Sequence, residues 1–173
     1  MGYGLPASIG ACFANNKKRI ICVHGEGGLE MNIQELQTIV QYRLPIKLFV
    51  FNNQGYLSIK HTQSAYFNGF FVGSDPASGV TCPDTSKIAR AYGIASLRIK
   101  NHKGMYTQIR KALKTRGPIM VDVVLDPMQP FIPRVTSERG PDGKFISKPL
   151  EDMYPFLDRK EFFSNMVVKP VEE

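Results

Sequence analysis

Two short runs hold residue types that could do chemistry together. One is Gly25-Glu26-Gly27-Gly28, after the apolar stretch RIICV; the other is Asn52-Asn53-Gln54-Gly55, after IKLFVF. A glycine-rich turn between a strand and a helix lets the backbone approach a ligand closely. The helix then points free N–H groups and a positive dipole end at the same spot. That arrangement favours a diphosphate. Glu26 would repel such an anion directly, so the turn makes chemical sense if a divalent cation lies between carboxylate and phosphate. Glu26 would supply a hard carboxylate, Asn53 an amide oxygen and Gly55 a backbone carbonyl. Magnesium takes such oxygens together with substrate phosphates and water. Either run alone is weak, because most Gly-x-Gly turns are only tight turns and Asn-Asn-x-Gly describes many loops. As a pair at successive strand ends, with 24 residues between Gly27 and Asn52, they are far more specific.

The elements that must position these runs follow from hydrophobic periodicity. Residues 4–15 read as a helix with Leu5, Ile9, Cys12 and Phe13 on one face and Pro6 tolerated near its start. Residues 19–24 read as a strand. Residues 32–43 read as a helix with the stripe Ile33, Leu36, Ile39 and Val40, and Asn32 and Glu35 are spaced like a capping box. Pro45 breaks the chain, and 46–51 is a second strand whose continuous apolar pattern suits a parallel sheet covered on both faces. Residues 52–83 are rich in Gly, Ser, Asn and aromatics and are expected to form a long functional loop. Asp84 is expected to cap a short helix carrying Ile88, Ala89 and Tyr92 and ending at Gly93. A strand over 94–99, a helix marked by Tyr106, Ile109 and Leu113, and a strand over 119–125 complete the pattern. The alternation predicts an α/β fold: a doubly wound, mostly parallel sheet with helices on both faces. Ligands of such sheets bind beyond the C-terminal strand ends, where both runs fall. Residues 127–173, with prolines at 127, 130, 133, 141, 149 and 155, read as a tail laid over the domain or a partner, with a short helix near 158–166.

Bulk properties narrow the function classes. A chain of 173 residues with 43% hydrophobic and 21% charged residues is a globular protein with one real core. No apolar run reaches the roughly 20 residues of a membrane helix, and the N-terminus lacks the basic region of a signal peptide. The net charge of +7 is scattered and accompanies no nucleic-acid recognition motif. Cys12, Cys22 and Cys82 form no CxxC pair, and the first two lie in apolar patterns as buried thiols; a reducing, cytoplasmic compartment is expected. His24, His61 and His102 lack zinc-site spacing.

Gly25-Glu26-Gly27, then MNIQELQT, then LPIKLFVFNNQGY, resembles the thiamine-diphosphate-binding motif of thiamine-dependent enzymes, which begins Gly-Asp-Gly and ends Asn-Asn. MGYGLPASIGA ahead of it and NIQELQTIVQYRLPI within it are most similar to acetolactate synthase and its relatives. The resemblance covers residues 1–126, and the tail segment SKPLEDMYPFL resembles acetolactate-synthase-like enzymes of surface-sugar biosynthesis. It implies that 1–126 is a domain binding thiamine diphosphate and Mg2+, incomplete at its N-terminus, with 127–173 as the tail. It implies Glu26, Asn53 and the Gly55 carbonyl as metal ligands, and Gly25, Gly27 and Gly28 as the turn facing the diphosphate. Met1 would prop the cofactor in its bent shape, and Tyr56 and Leu57 would lie beside it. Glu26 stands where the family has aspartate; the added methylene moves the carboxylate outward by about one C–C bond, in a site where magnesium demands near-ideal geometry. The activating glutamate of the family belongs to a separate pyrimidine-binding domain, across a dimer or tetramer, so no catalytic residue is expected in this chain and it would be inactive alone. The implied activity is decarboxylation of a 2-oxo acid such as pyruvate and joining of the two-carbon unit to a carbonyl acceptor. The alternatives are a simple 2-oxo-acid decarboxylase and a non-catalytic binding or assembly subunit. Lys60 and His61 are read as either substrate contacts or surface residues; Phe67, Phe70 and Phe71 would cover the cofactor or pack the loop. Asp75 and Asp84 read as turn and cap residues.

Overall fold

Three apolar runs and the mixed segment ASLRI form one parallel sheet. In the computed structural model, which describes residues 1–139 and 142–169, the strands are β1 (Ile20–Gly25), β2 (Ile46–Asn52), β3 (Ala95–Ile99) and β4 (Ile119–Val124), in the order β1-β2-β4-β3. All three pairings are parallel, and the register sets Gly25 opposite Phe51 and Asn52 opposite Val124. The two runs singled out in the sequence therefore leave the same edge of the sheet side by side.

The helices are α1 (Gly4–Ala14), α2 (Glu26–Glu30), α3 (Glu35–Gln41), α4 (Leu57–Tyr66), α5 (Thr85–Ala91), α6 (Met105–Lys114) and α7 (Arg159–Asn165). They divide the core into two layers. Leu5, Ile9 and Cys12 of α1, Leu36 and Ile39 of α3 and Ala89 of α5 pack with Cys22, Leu48, Val50 and Met120 on one face of the sheet. Ala112 of α6, with Ile109 and Leu113, packs with Phe49, Val121 and Ile99 on the other. Burying such side chains contributes about 1.5–3 kcal/mol each. The doubly wound expectation holds, but the second layer stops short. Ile21, Val23 and Phe51 point to that face and stay 53%, 56% and 40% exposed.

At the N-terminal edge of the sheet sits Lys47, in the middle of an apolar run and 1% exposed. Its ammonium donates to the carbonyls of Thr115 and Gly117, just past the end of α6. Burial, and secondarily Arg19, pulls its pKa below the usual lysine range.

Two expectations are corrected. The Asn32/Glu35 capping box does not form: α3 begins at Glu35 after Gln34, which makes no side-chain cap. Asn32 instead donates its Nδ2 to the Gly2 carbonyl at 2.7 Å, because the chain has already used Glu26–Glu30 as a short helix and needs a turn there. The 52–83 segment is not one long loop, since it holds α4 and a 3-10 turn at Pro76–Ser78. α4 escapes a periodicity reading because only Leu57 and Lys60 are buried on it, so its inward stripe is one leucine and one lysine stem. Asp84 caps α5 by accepting from Lys87 N, as expected, and Asp75 caps the 3-10 turn in a reciprocal box with Ser78.

The chain separates into two compact units, Met1–Gln129 and Pro130–Glu173. Within the second, β5 (Ser137–Arg139) and β6 (Phe145–Ser147) form an antiparallel hairpin. The helix expected near 158–166 is α7, capped by Asp158. Asp152 is buried and paired with Arg159 at 2.7 Å. Residues 140, 141 and 170–173 of the proline-rich tail, Pro141 among them, lie outside the described residues.

Candidate functional site

β1 ends at Gly25, and Glu26 opens α2 without a side-chain cap. The first helical position aims the Glu26 side chain across to the end of β2, where it is 4% exposed. Its carboxylate accepts from Asn53 N at 2.9 and 3.1 Å and from Gly55 N at 2.9 Å. The two strand ends are thus tied by one carboxylate. Burial raises the Glu26 pKa above the ordinary carboxylate value, while the Gly55 and Asn53 amides pull against it. A bound cation would remove that penalty for the charged form.

Asn53 is 8% exposed, and its Oδ1 is buried without a hydrogen-bond partner. Buried polar atoms are nearly always satisfied, so this orphan, on the residue whose N–H reaches the Glu26 carboxylate, makes Asn53 a candidate metal ligand. The donor set, carboxylate plus amide oxygen, suits a hard cation such as magnesium. Three of the four orphaned side-chain atoms among the described residues lie at this edge: Asn53 Oδ1, His24 Nε2 and Glu30 Oε1.

The glycines fit by close approach. A Cβ on Gly27 would collide with the Tyr56 ring, and one on Gly28 with His24, whose Nδ1 would lie 2.8 Å away. Gly55 has φ +146°, a conformation closed to other residues, and its Cβ would strike the Ser74 carbonyl. Gly25 has open space around it. Tyr56 continues the turn by donating its N–H to Ser74 O at 2.8 Å, and its phenol is pushed up first by burial, then by Glu30 and Cys82. Leu57 is 3% exposed at the start of α4 and belongs to the packing there. Met1 is 67% exposed. The Asn32–Gly2 bond brings the residue after it to Gly28, whose Cβ position lies 3.6 Å from Gly2 N. Of the nine positions singled out, Glu26, Asn53 and Gly55 meet directly, Gly27 meets Tyr56, and Leu57 turns inward.

The loop residues resolve differently. Lys60 is 6% exposed and paired with Asp75 at 3.0 Å, under the Phe71 ring, so it holds α4 to the 75–78 turn. Its surface reading is overturned. His61 meets the Gln129 carbonyl at 3.0 Å. Phe67 and Phe70 are exposed.

Sequence reasoning missed Asp122, which is 0% exposed inside β4. It accepts from Asn52 Nδ2 at 3.0 Å and from Arg98 Nε, and Arg98 also pairs with Asp84 at 2.7 Å. A lone aspartate within IMVDVVL was the available signal, since charges are almost never fully buried without partners. Glu26, Asn52, Arg98, Asp84 and Cys82 border one cavity of about 430 Å3 at the strand ends. Burial, and then Glu30, push the Cys82 thiol up to about 12.

Comparison with known proteins shows the family of the chain. The model of the thiamine pyrophosphate enzyme C-terminal, thiamine-pyrophosphate-binding domain matches residues 1–123. The acetolactate synthase large subunit of Cyanidium caldarium is 40% identical over 125 residues, 72% of this chain and 21% of that protein. The mitochondrial acetolactate synthase catalytic subunit of Saccharomyces cerevisiae is 31% identical over 147 residues, 85% of this chain and 21% of that protein. Among solved structures, the thiamine diphosphate-dependent 4-hydroxybenzoylformate decarboxylase of Rhodococcus jostii RHA1 is similar at a TM-score of 0.65 and 25% identity, over 73% of this chain and 23% of that one. The chain spans about a fifth of the length of the acetolactate synthases it matches.

Proposed function

Since this chain belongs to the thiamine pyrophosphate enzymes, as their C-terminal cofactor-binding domain, we propose that it binds thiamine diphosphate through magnesium as part of an acetolactate-synthase-like carboligase. The observation that carries this is the Asn53 N–H bond to the Glu26 carboxylate at adjacent strand ends, on a residue whose own Oδ1 is buried without a hydrogen-bond partner. Glu26, Asn53 and the Gly55 carbonyl hold the cation, and the backbone at Gly25, Gly27 and Gly28 faces the diphosphate. When bound, thiamine diphosphate supplies the carbon nucleophile that takes up a 2-oxo acid and releases carbon dioxide. In this chain, the Tyr56 ring lies against Gly27. The activating glutamate comes from a pyrimidine-binding domain outside this chain, in a dimer or tetramer.

The test is calorimetric titration with thiamine diphosphate, with and without magnesium, for the chain and for Glu26→Ala. The expected heat requires both magnesium and Glu26. Binding that survives Glu26→Ala sinks the assigned role of that residue. If no heat appears, the titration is repeated with a pyrimidine-binding domain supplied; continued silence identifies a degenerate, non-catalytic domain. A simple decarboxylase is the second reading, favoured by the likeness to the 4-hydroxybenzoylformate decarboxylase. Acetolactate among the products from pyruvate would separate the ligase from it.

A further inference from the structure

We infer that Asp122 is a positioning residue for the metal site and acts through Asn52. The inference rests on the magnesium-site reading above and deepens it. Residue 52 is held twice, by β4 and by the residue just after it: its Nδ2 donates to Asp122 Oδ1 at 3.0 Å, and its carbonyl accepts from Leu125 N at 2.8 Å. The peptide that follows carries the Asn53 N–H, which donates to both oxygens of Glu26. Asn53 Oδ1 is fixed to that same residue. The orientation of one peptide therefore sets both side-chain ligands relative to each other.

Asp122 itself has no freedom to turn. Its other oxygen accepts from Arg98 Nε, and the Arg98 NH2 group is held by Asp84, which caps α5. A line of contacts runs from α5 through β3 and β4 to the end of β2 and stops at the candidate metal ligands. Burying a carboxylate this completely costs several kcal/mol before its partners compensate, and an apolar residue in a sheet interior is commonly as stable. The charge is explained by what it orients. Magnesium tolerates little departure from octahedral geometry at about 2.0–2.1 Å, so a peptide tilted by tens of degrees would lose it.

The experiment titrates the chain, with any partner domain the calorimetry calls for, with manganese(II) at a fixed excess of thiamine diphosphate. Loss of the free-ion electron paramagnetic resonance signal reads metal occupancy without requiring turnover. Asn52→Ala leaves the Asp122–Arg98 pair intact and so preserves the fold; it should raise the half-saturating manganese concentration by about 10-fold or more, the scale of losing an outer-shell partner. Asp122→Asn should raise it as well, and the double variant should be no worse than Asn52→Ala alone, because the two act along one line. Melting temperatures are measured on the same samples. A lowered melting temperature with unchanged manganese uptake would make Asp122 purely structural and overturn the inference, as would shifts that simply add. Failure of the unaltered protein to take up manganese would be a different result: it removes the metal site itself, and the positioning role with it.

Discussion

The two ends of the β-sheet treat buried polar groups in opposite ways. At the N-terminal edge, Lys47 is buried among the core residues, and its ammonium is met by the carbonyls of Thr115 and Gly117. At the C-terminal edge, Glu26 is nearly as buried, but Asn53 Oδ1, His24 Nε2 and Glu30 Oε1 beside it have no partner. The closed end joins α6 to the sheet and offers nothing to a ligand. The open end bears an energetic cost that a bound ligand would relieve. In a parallel α/β sheet the ligand end is the C-terminal one, and here the hydrogen-bond inventory alone distinguishes it.

The largest effect should come from breaking the closed end. Lys47→Ala leaves two carbonyls without their donor and opens a cavity, which should cost about 3 kcal/mol. The melting temperature should fall by about 6–12 °C. Metal-dependent cofactor binding should be unchanged when measured well below that temperature. A variant that melts normally would mean that Lys47 is not the tie between β2 and the end of α6.

The matching change at the open end should reverse the pattern. Asn53→Ala removes an atom that is satisfied by nothing in the chain, so stability should stay within about 1 kcal/mol of the parent. Metal affinity should fall by at least the roughly 10- to 100-fold that an outer-shell loss costs, since here a proposed ligand itself is removed. A stability loss as large as that of Lys47→Ala would erase the distinction between the two ends.

A smaller effect tests why the open end is glycine-rich. Gly28→Ala drives a methyl into the His24 ring and should cost about 1–3 kcal/mol by overpacking. Adding His24→Ala makes room for that methyl, so the double variant should lose less than the sum of the two single losses. Additive losses in urea melts would show that the two residues do not compete for one space.

These contrasts also show what the sequence could and could not reveal. The four strands and the helices over 4–15, 85–91 and 105–114 were legible because each carries a continuous apolar run or a clear stripe. Glu26 and Asn53 were legible because a carboxylate within glycines and an Asn pair at the next strand end are unusual for purely structural turns. α4 was not, because a lysine stem supplies half of its buried stripe. Asn32 was misassigned because an Asn three residues before a Glu signals a cap only if a helix begins there, and α2 had taken that place. Asp122 and Lys47 sit within apolar runs, and their partners, Asn52, Arg98, Thr115 and Gly117, come from elsewhere in the sequence. A buried charge is visible in a sequence; the group that satisfies it is visible only once the sheet has assembled.

The smallest expected effect concerns the Arg98–Asp84 link, where the line from Asp122 reaches the surface. Asp84 is held below the ordinary carboxylate value first by Arg98 and then by the Lys87 amide it caps. The folded form thus releases its proton more readily than the unfolded chain. Its stabilisation is present above the unfolded value of about 3.9 and is lost as pH falls through the lower, folded value. With its side chain 34% exposed, the pair is worth less than about 1 kcal/mol. Glu26 works in the opposite direction: burial raises its folded pKa, so it weakens the fold as pH climbs from about 4.3 through that raised value. Asp84→Asn should therefore flatten only the lowest part of the acid limb of a stability–pH curve, whereas Glu26→Gln should steepen the part above about 4.3, where the wild-type carboxyl opposes the rise. If Asp84→Asn leaves the lowest part unchanged, the Arg98 contact is not held in solution, and the line of contacts to the open end stops at Arg98 and Asp122.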